Sequence, residues 1–186
     1  YLMEKGVPVT MILLSSRDKV AGDARTNMIL AQKLLAHREN SSFIEIPDPE
    51  ALETQRNTLV HQDLFVDAVF GTGLNSPVRG MFKDVIQIMN QSKSPVFSVD
   101  IASGLNSNTG AAMGTAVRAS ATATFAHAKA GHVLFPGNEY TGDLEVIDIG
   151  IPEFVTKNEK PDLWLLSASD IVSRFPPRPF DTHKGQ

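Results

Sequence analysis

The sequence predicts an α/β protein built on a mainly parallel sheet, and three observations carry that expectation. Short apolar runs recur at residues 9–14, 43–46, 63–70 and 95–101. Between them lie segments whose apolar residues fall at near-helical spacing. Alternation of the two periods is what strands joined by right-handed crossover helices produce. The first 101 residues form a run of such units, with no repeat of fixed period and no low-complexity segment.

Each element has its own signal. Residues 1–6 read as the end of a helix, with Tyr1, Leu2 and Met3 apolar and Gly6 suited to the left-handed position after a helix C-terminus. Residues 9–14 are almost purely apolar, which predicts a strand covered on both faces. Ser15 and Ser16 offer a cap for a helix over 18–38, which carries Val20, Ala24, Met28, Ala31, Leu34 and Leu35 at helical spacing. Residues 43–46 give a second, shorter strand. Pro49 opens a second helix to residue 61, because a proline in the first turn lacks only an amide that would have had no partner. Residues 63–70 are the third strand, 71–80 a loop, 81–90 a helix through Phe82, Val85, Ile86 and Met89, and 95–101 the fourth strand.

After Gly110 the pattern changes. Residues 122–125 and 144–149 read as strands, but Lys129, Gly131, Pro136, Gly137 and Gly142 lie between them, predicting shorter, non-helical connections at that edge of the sheet. Residues 152–162 are polar and lysine-bearing. Residues 163–166 could pair as a last strand, Ser167 or Ser169 could cap a short helix running to Phe175, and the P-P-R-P stretch at 176–179 reads as an extended linker.

Composition narrows the function classes. A chain of 186 residues with 42 % hydrophobic and 20 % charged residues matches an ordinary globular domain, so disorder and membrane-spanning readings are disfavoured. No apolar run approaches the roughly 20 residues needed to cross a bilayer. A net charge of -4 lacks the basic excess that nucleic-acid phosphates demand, while a small anion held by backbone amides stays open. The absence of cysteine excludes disulfides, thiolate metal sites and cysteine nucleophiles, and fits a reducing compartment such as the cytoplasm. The chain begins at Tyr1 and breaks off in D-T-H-K-G-Q, and both ends read as cuts in a longer protein.

The chemistry is expected at two strand ends. Asp67 sits in the apolar run V-D-A-V-F, where a buried carboxylate without partners costs several kcal/mol. It either caps nearby backbone amides or faces a ligand. Asp100 repeats the arrangement in V-D-I-A-S-G, and adjacent parallel strands would bring both acids to one site, with one suited to a cation and the other to acid–base work. Gly71, Thr72 and Gly73 form a turn of small residues after the third strand. It suits amides approaching an anion, or simply a tight turn; it is neither a Walker A loop nor G-x-G-x-x-G, since Ser76 stands where the third glycine would fall. Ser103 has no nucleophile-elbow context and reads as an oxygen ligand or turn cap. His37, His61, His127, His132 and His183 show no metal-ligand spacing and are expected in loops or facing solvent. Lys129 could reach an anion, but a solvated lysine is the default.

The ordered set D-x-x-F-G-T-G-L, P-V-R-G, V-D-I-x-S-G-L, N-T-G, K-x-G and D-I-G-I-P resembles the NAD(P)H-hydrate epimerase family, also called the YjeF N-terminal domain family. The match runs from about Val66 to Pro152. The resemblance implies a Rossmann-like three-layer fold, N-terminally truncated, that interconverts the R and S forms of hydrated NADH and NADPH with a bound potassium ion. By the same resemblance Asp67 and Ser103 are potassium ligands, and Gly71, Thr72, Gly73, Leu74, Asn75, Ser76 and Pro77 form the loop for the substrate phosphate. The resemblance also implies that Asp100 contacts the hydrated dinucleotide. Ala102, Asn106 and Ala130 depart from the family's usual proline, aspartate and proline, and none removes a ligand group. The family's N-N-G-G-D segment would lie before Tyr1.

R-P-F-D-T-H-K-G at residues 178–185 resembles the opening of the ADP-dependent NAD(P)H-hydrate dehydratase domain of bifunctional repair enzymes. The implied layout is a partial epimerase domain over 1–155, a linker with a short strand and helix over 156–180, and the start of a dehydratase over 181–186. A homo-oligomer is compatible with it, and neither nucleic acid nor membrane is expected as a partner. The competing readings are a non-catalytic binding or scaffold module of the same fold, and a generic nucleotide-binding α/β domain.

Overall fold

The computed structural model describes residues 2–159, 163–172 and 174–175. Two units separate at Ile149/Gly150. The first holds strands β1 (Thr10–Leu13), β2 (Ser42–Glu45), β3 (Phe65–Asp67), β4 (Val96–Val99), β5 (Ala121–Phe125) and β6 (Asp143–Ile147). Its helices are α1 (Gly22–Leu35), α2 (Pro49–Val60), α3 (Gly80–Gln91), α4 (Ala130–Val133) and α5 (Asn138–Thr141). Every strand pair is parallel. The expected α/β architecture is therefore present, and it is consistent with a Rossmann-like three-layer fold.

The sheet is divided in two. Among the described residues β1 pairs only with β2, while β3, β4, β5 and β6 form a second sheet in that order. This limits the cover over the N-terminal elements. The apolar run expected to be buried on both faces is only half-buried throughout β1. Of the six apolar positions expected to line α1, only Leu35 is buried, and Leu34 is exposed. A 3₁₀ turn at Arg17–Lys19 delays α1, whose N-cap is Ala21 without a side-chain bond, so neither Ser15 nor Ser16 caps it. Glu45 at the end of β2 holds that turn by accepting from the Arg17 amide at 3.0 Å.

The core lies over the second sheet. Asp48 caps α2 by accepting from the Ala51 amide at 2.8 Å, with Pro49 in the first turn. α2 contributes Leu52 and Leu59; α3 contributes Val85, Ile86, Ile88 and Met89, and the Phe82 ring packs 5.1 Å from that of Phe70. Val85, Ile86 and Met89 are the face expected from spacing. The β4–β5 connection carries no helix and is pinned by a bridge between Leu105 and Ala112. The β5–β6 connection differs from expectation, since it contains the single helical turns α4 and α5. They pack so closely that a Cβ on Gly137 would stand 1.9 Å from the Gly131 carbonyl oxygen.

The second unit contains α6 (Glu153–Asn158) and α7 (Ala168–Val172). Residues 163–166 do not form the expected strand; their side chains are exposed and no described strand offers them a ladder. Ser167 caps α7 as expected, its hydroxyl accepting from the Asp170 amide at 3.3 Å. The proposed proline linker and dehydratase opening lie outside the described residues. No described helix is long and apolar enough to cross a membrane.

Ile86 is fully buried in the middle of α3. Ile86→Ala should lower the unfolding free energy by about 2–5 kcal/mol, read as a lower urea midpoint with an unchanged slope.

Candidate active site

Strands β3 and β4 deliver Asp67 and Asp100 to the same end of the sheet, and the two acids have different surroundings. Asp67 is wholly buried. Its Oδ2 accepts from the Ser98 hydroxyl at 2.8 Å and from the Ser103 amide at 2.8 Å. Its Oδ1 accepts from the Ser103 hydroxyl at 2.5 Å and from the Val69 amide at 3.3 Å. Four donors match the roughly four lone-pair directions of a carboxylate. Ser103 Oγ also accepts from the Phe70 amide at 2.8 Å, and the Phe70 carbonyl lies 3.3 Å away. Asp67 and Ser103 are thus brought together as expected. No described basic side chain pairs with the Asp67 charge.

Asp100 stands at a bend. The Ile101 amide donates across it to the Val99 carbonyl at 2.9 Å, and its φ is +68°. A γ-turn with a positive central φ is the rare and strained form, costing on the order of 1–3 kcal/mol. Aspartate tolerates that region better than most residues. The next strand ends the same way: the His127 amide donates to the Phe125 carbonyl across Ala126, whose φ is +62°. The second bend brings Lys129 back over β4.

Lys129 Nζ lies 2.6 Å from Asp100 Oδ1, 2.6 Å from Thr124 Oγ1 and 3.1 Å from the Phe125 carbonyl. Thr124 Oγ1 donates to the same carboxylate oxygen at 3.2 Å. The solvated lysine expected from sequence is therefore corrected to a partly buried ion pair. Burial alone would raise the Asp100 carboxyl, but the Lys129 hydrogen bond and charge, with help from the Phe125 backbone and Thr124, hold it below the ordinary range.

His132 is also corrected from a loop or solvent-facing residue to a buried one, 2 % exposed. Its Nδ1 accepts from the Lys129 amide at 3.1 Å, which leaves the neutral ring's proton on Nε2. That nitrogen has no hydrogen bond of ordinary geometry among the described residues. Burial and the nearby Lys129 charge push the imidazole down, against a smaller upward pull from Asp100. Among the described residues no group of three or more histidine, cysteine or acidic side chains is placed to hold a metal.

The loop from Gly71 to Pro77 crosses in front of these groups. Leu74 is half-buried; Gly71, Thr72, Gly73, Asn75, Ser76 and Pro77 are exposed. Ser107 Oγ donates to the Thr72 carbonyl at 3.4 Å, and the Val78 amide reaches the Met113 carbonyl at 2.8 Å. Neither loop glycine uses a positive φ. A Cβ at Gly73 would meet nothing within 4 Å, and one at Gly71 would come 4.0 Å from Asp100 Oδ2. The protein's own packing therefore leaves room for side chains that the sequence omits at Gly71 and Gly73. Gly104, in contrast, is required: its φ is +94° and a Cβ would lie 2.0 Å from the Thr115 carbonyl oxygen, next to Ser103.

Ser98, Thr124, Lys129 and His132 were not among the residues expected at the site. Ser98 and Thr124 fall on inward positions of alternating strands, a signal present in V-F-S-V and A-T-A-T-F. Lys129 and His132 reach the site only through the β5 bend.

The fold and site define a parallel α/β domain with a buried carboxylate and a lysine-paired carboxylate at neighbouring strand ends. The chain belongs to the YjeF-related protein N-terminus family, whose model matches residues 1–131. It is 35 % identical over 185 residues to the bifunctional NAD(P)H-hydrate repair enzyme Nnr of Moorella thermoacetica, covering 100 % of this chain and 34 % of that protein. It is 36 % identical to the enzyme of the same name from Thermofilum pendens, covering 33 % of its length. It is 34 % identical over 149 residues to the NAD(P)H-hydrate epimerase of Oenococcus oeni, covering 80 % of this chain and 64 % of that one. The chain thus spans about a third of the bifunctional relatives it matches.

Lys129 lowers both Asp100 and His132, so Lys129→Met should raise both titrations, followed by NMR of the carboxyl and imidazole carbons. Both groups bind a proton less readily folded than unfolded, so each stabilises the protein at high pH and loses that contribution on acidification. Stability in the unmodified protein should begin to decline below about pH 6.5 through His132 and decline further below about pH 4 through Asp100, measured by thermal unfolding across pH.

Proposed function

We propose that this domain serves NAD(P)H-hydrate epimerisation, interconverting the R and S forms of hydrated NADH and NADPH. The observation that carries the reading is the Asp100–Lys129 pair beside an open glycine loop. Inversion at the hydrated carbon needs a bond there to open and re-form on the opposite face, with a proton moved at the adjacent heteroatom. Asp100 is held ionised and can accept that proton or orient the hydroxyl, while Lys129 and Thr124 fix the carboxylate and supply exchangeable protons. The amides of Gly71, Thr72, Gly73, Asn75 and Ser76, followed by the uncapped N-terminus of α3, suit the substrate's phosphate. The names of the relatives support the same reaction.

The donor chemistry fits a potassium ion at Asp67 and Ser103. Both are hard oxygen donors, and the buried Asp67 charge has no described cation beside it. The Ser103 proton has a second acceptor in the Phe70 carbonyl, which would free Asp67 Oδ1 and Ser103 Oγ to hold the ion. Bound there, potassium would supply positive charge that orders the end of β3 and the loop after it. We read the longer protein as a bifunctional repair enzyme that adds ADP-dependent dehydration of the hydrate, with residues 1–186 by themselves weakly active or inactive.

Asparagine tolerates positive φ as aspartate does, so Asp100→Asn preserves the bend while removing the base. In the longer polypeptide it should slow epimerisation by about 10²-fold or more, followed by chromatographic separation of the two hydrates; an unchanged rate overturns the assignment. Replacing potassium by a large organic cation should lower activity in the unmodified protein more than in Asp67→Asn.

A further inference from the structure

His132 is the one buried titratable side chain of the β5–β6 connection, 2 % exposed. Its main chain is held on both sides: the His132 amide donates to the Lys129 carbonyl at 3.0 Å, and the Thr141 hydroxyl of α5 approaches the His132 carbonyl at 3.4 Å. The Gly131 amide beside it donates to the Ser107 carbonyl at 2.7 Å, and a Cβ on Gly131 would come 2.3 Å from the Asn106 carbonyl oxygen. That close backbone contact fixes the turn from which the ring projects.

The ring lies between two main chains. Nδ1 accepts from the Lys129 amide at 3.1 Å, so the neutral ring carries its proton on Nε2. Nε2 is shielded from water without a hydrogen bond of ordinary geometry among the described residues. The Asp100 main chain pulls the imidazole up as an acceptor of a ring proton does, and with Nδ1 engaged by Lys129 that proton is the one on Nε2. An aliphatic side chain would fill the same space without the cost of burying an imidazole. What the neutral imidazole adds is an acceptor for one main chain and a donor for the other.

We infer that His132 is a positioning residue, whose neutral ring braces the main chains of Lys129 and Asp100 while their side chains pair at 2.6 Å. The role rests on the epimerase reading only for the use made of that pair. The pair joins two bends, at Asp100 and at Ala126, each with a positive φ, and the ring is a second tie between the segments that leave them. Protonation undoes the tie. An imidazolium carries hydrogen on both nitrogens, so its Nδ1–H would meet the Lys129 N–H donor to donor. The charged groups that act on the ring are Lys129, in its own turn, and Asp100, at the end of β4, while α5 meets it through the uncharged Thr141. Burial and the Lys129 charge hold the imidazole below its ordinary value, so the tie is complete at neutral pH and is lost as pH falls below about 6.5.

Carboxyl and imidazole titrations by NMR on the longer polypeptide test the role without turnover. His132→Leu keeps the bulk and removes both ring nitrogens. Lys129 should then hold Asp100 less firmly, and the Asp100 titration should move up toward the ordinary carboxylate range. His132→Asn returns an acceptor in place of Nδ1 that does not titrate, and should restore the low Asp100 titration. In epimerisation His132→Leu should lower kcat by about 10-fold or more with KM changed less. His132→Asn should recover most of that rate, and should lack the fall in kcat that follows the His132 titration in the unmodified protein. If His132→Leu does not fold, the unmodified protein decides: the Lys129 amide nitrogen should shift as the ring titrates, and an amide blind to that titration overturns the inference. So does an Asp100 titration unchanged in His132→Leu, or an equal loss of rate in both variants, which indicates a ring needed for packing alone. Absence of turnover in the unmodified protein overturns the epimerase reading instead and leaves the titrations to decide the role of His132.

Discussion

Asp67 carries a carboxylate with none of its surface in water, and the geometry around it exists to satisfy that group. Ser98 reaches it from β4, Ser103 from the turn beyond β4, and Val69 from the chain just after β3. A buried acid without these donors would cost several kcal/mol. The bonds therefore lock the ends of two strands and the turn between Ile101 and Gly104 into one arrangement. Gly104 is part of the same constraint, since any side chain there would strike the Thr115 backbone.

That lock leaves Asp100 as the acid with exposure and reach. Both acids end neighbouring strands, yet one is enclosed among serine and backbone donors and the other is bent out by a positive φ toward Lys129 and the glycine loop. The bend at Ala126 does for Lys129 what the bend at Asp100 does for the carboxylate. His132 then ties the Lys129 main chain from beneath. An enclosed carboxylate and a partly exposed, lysine-paired one are thus produced from the same strand-end pattern by different partners.

The division of the sheet connects to the same site. β3 is short, bears Asp67 and lies at the open edge. Anything that pairs with that edge adds main-chain hydrogen bonds to the strand that holds the buried acid.

The sequence by itself determined the parallel α/β class, the apolar face of α3, the start of α2 at Pro49 and the two acids with Ser103 at strand ends. These follow from local periodicity, turn chemistry and the rule that parallel strands gather their C-terminal ends. Only the tertiary structure decided which acid is enclosed and which is paired, because Ser98, Thr124 and Lys129 lie 24 to 31 positions away in sequence from the carboxylates they contact. It also decided that β1 is half-buried and that α1 exposes much of its apolar surface. An apolar run states that a strand can be covered on both faces; whether a neighbour stands there is a property of the assembled sheet, which no local pattern encodes.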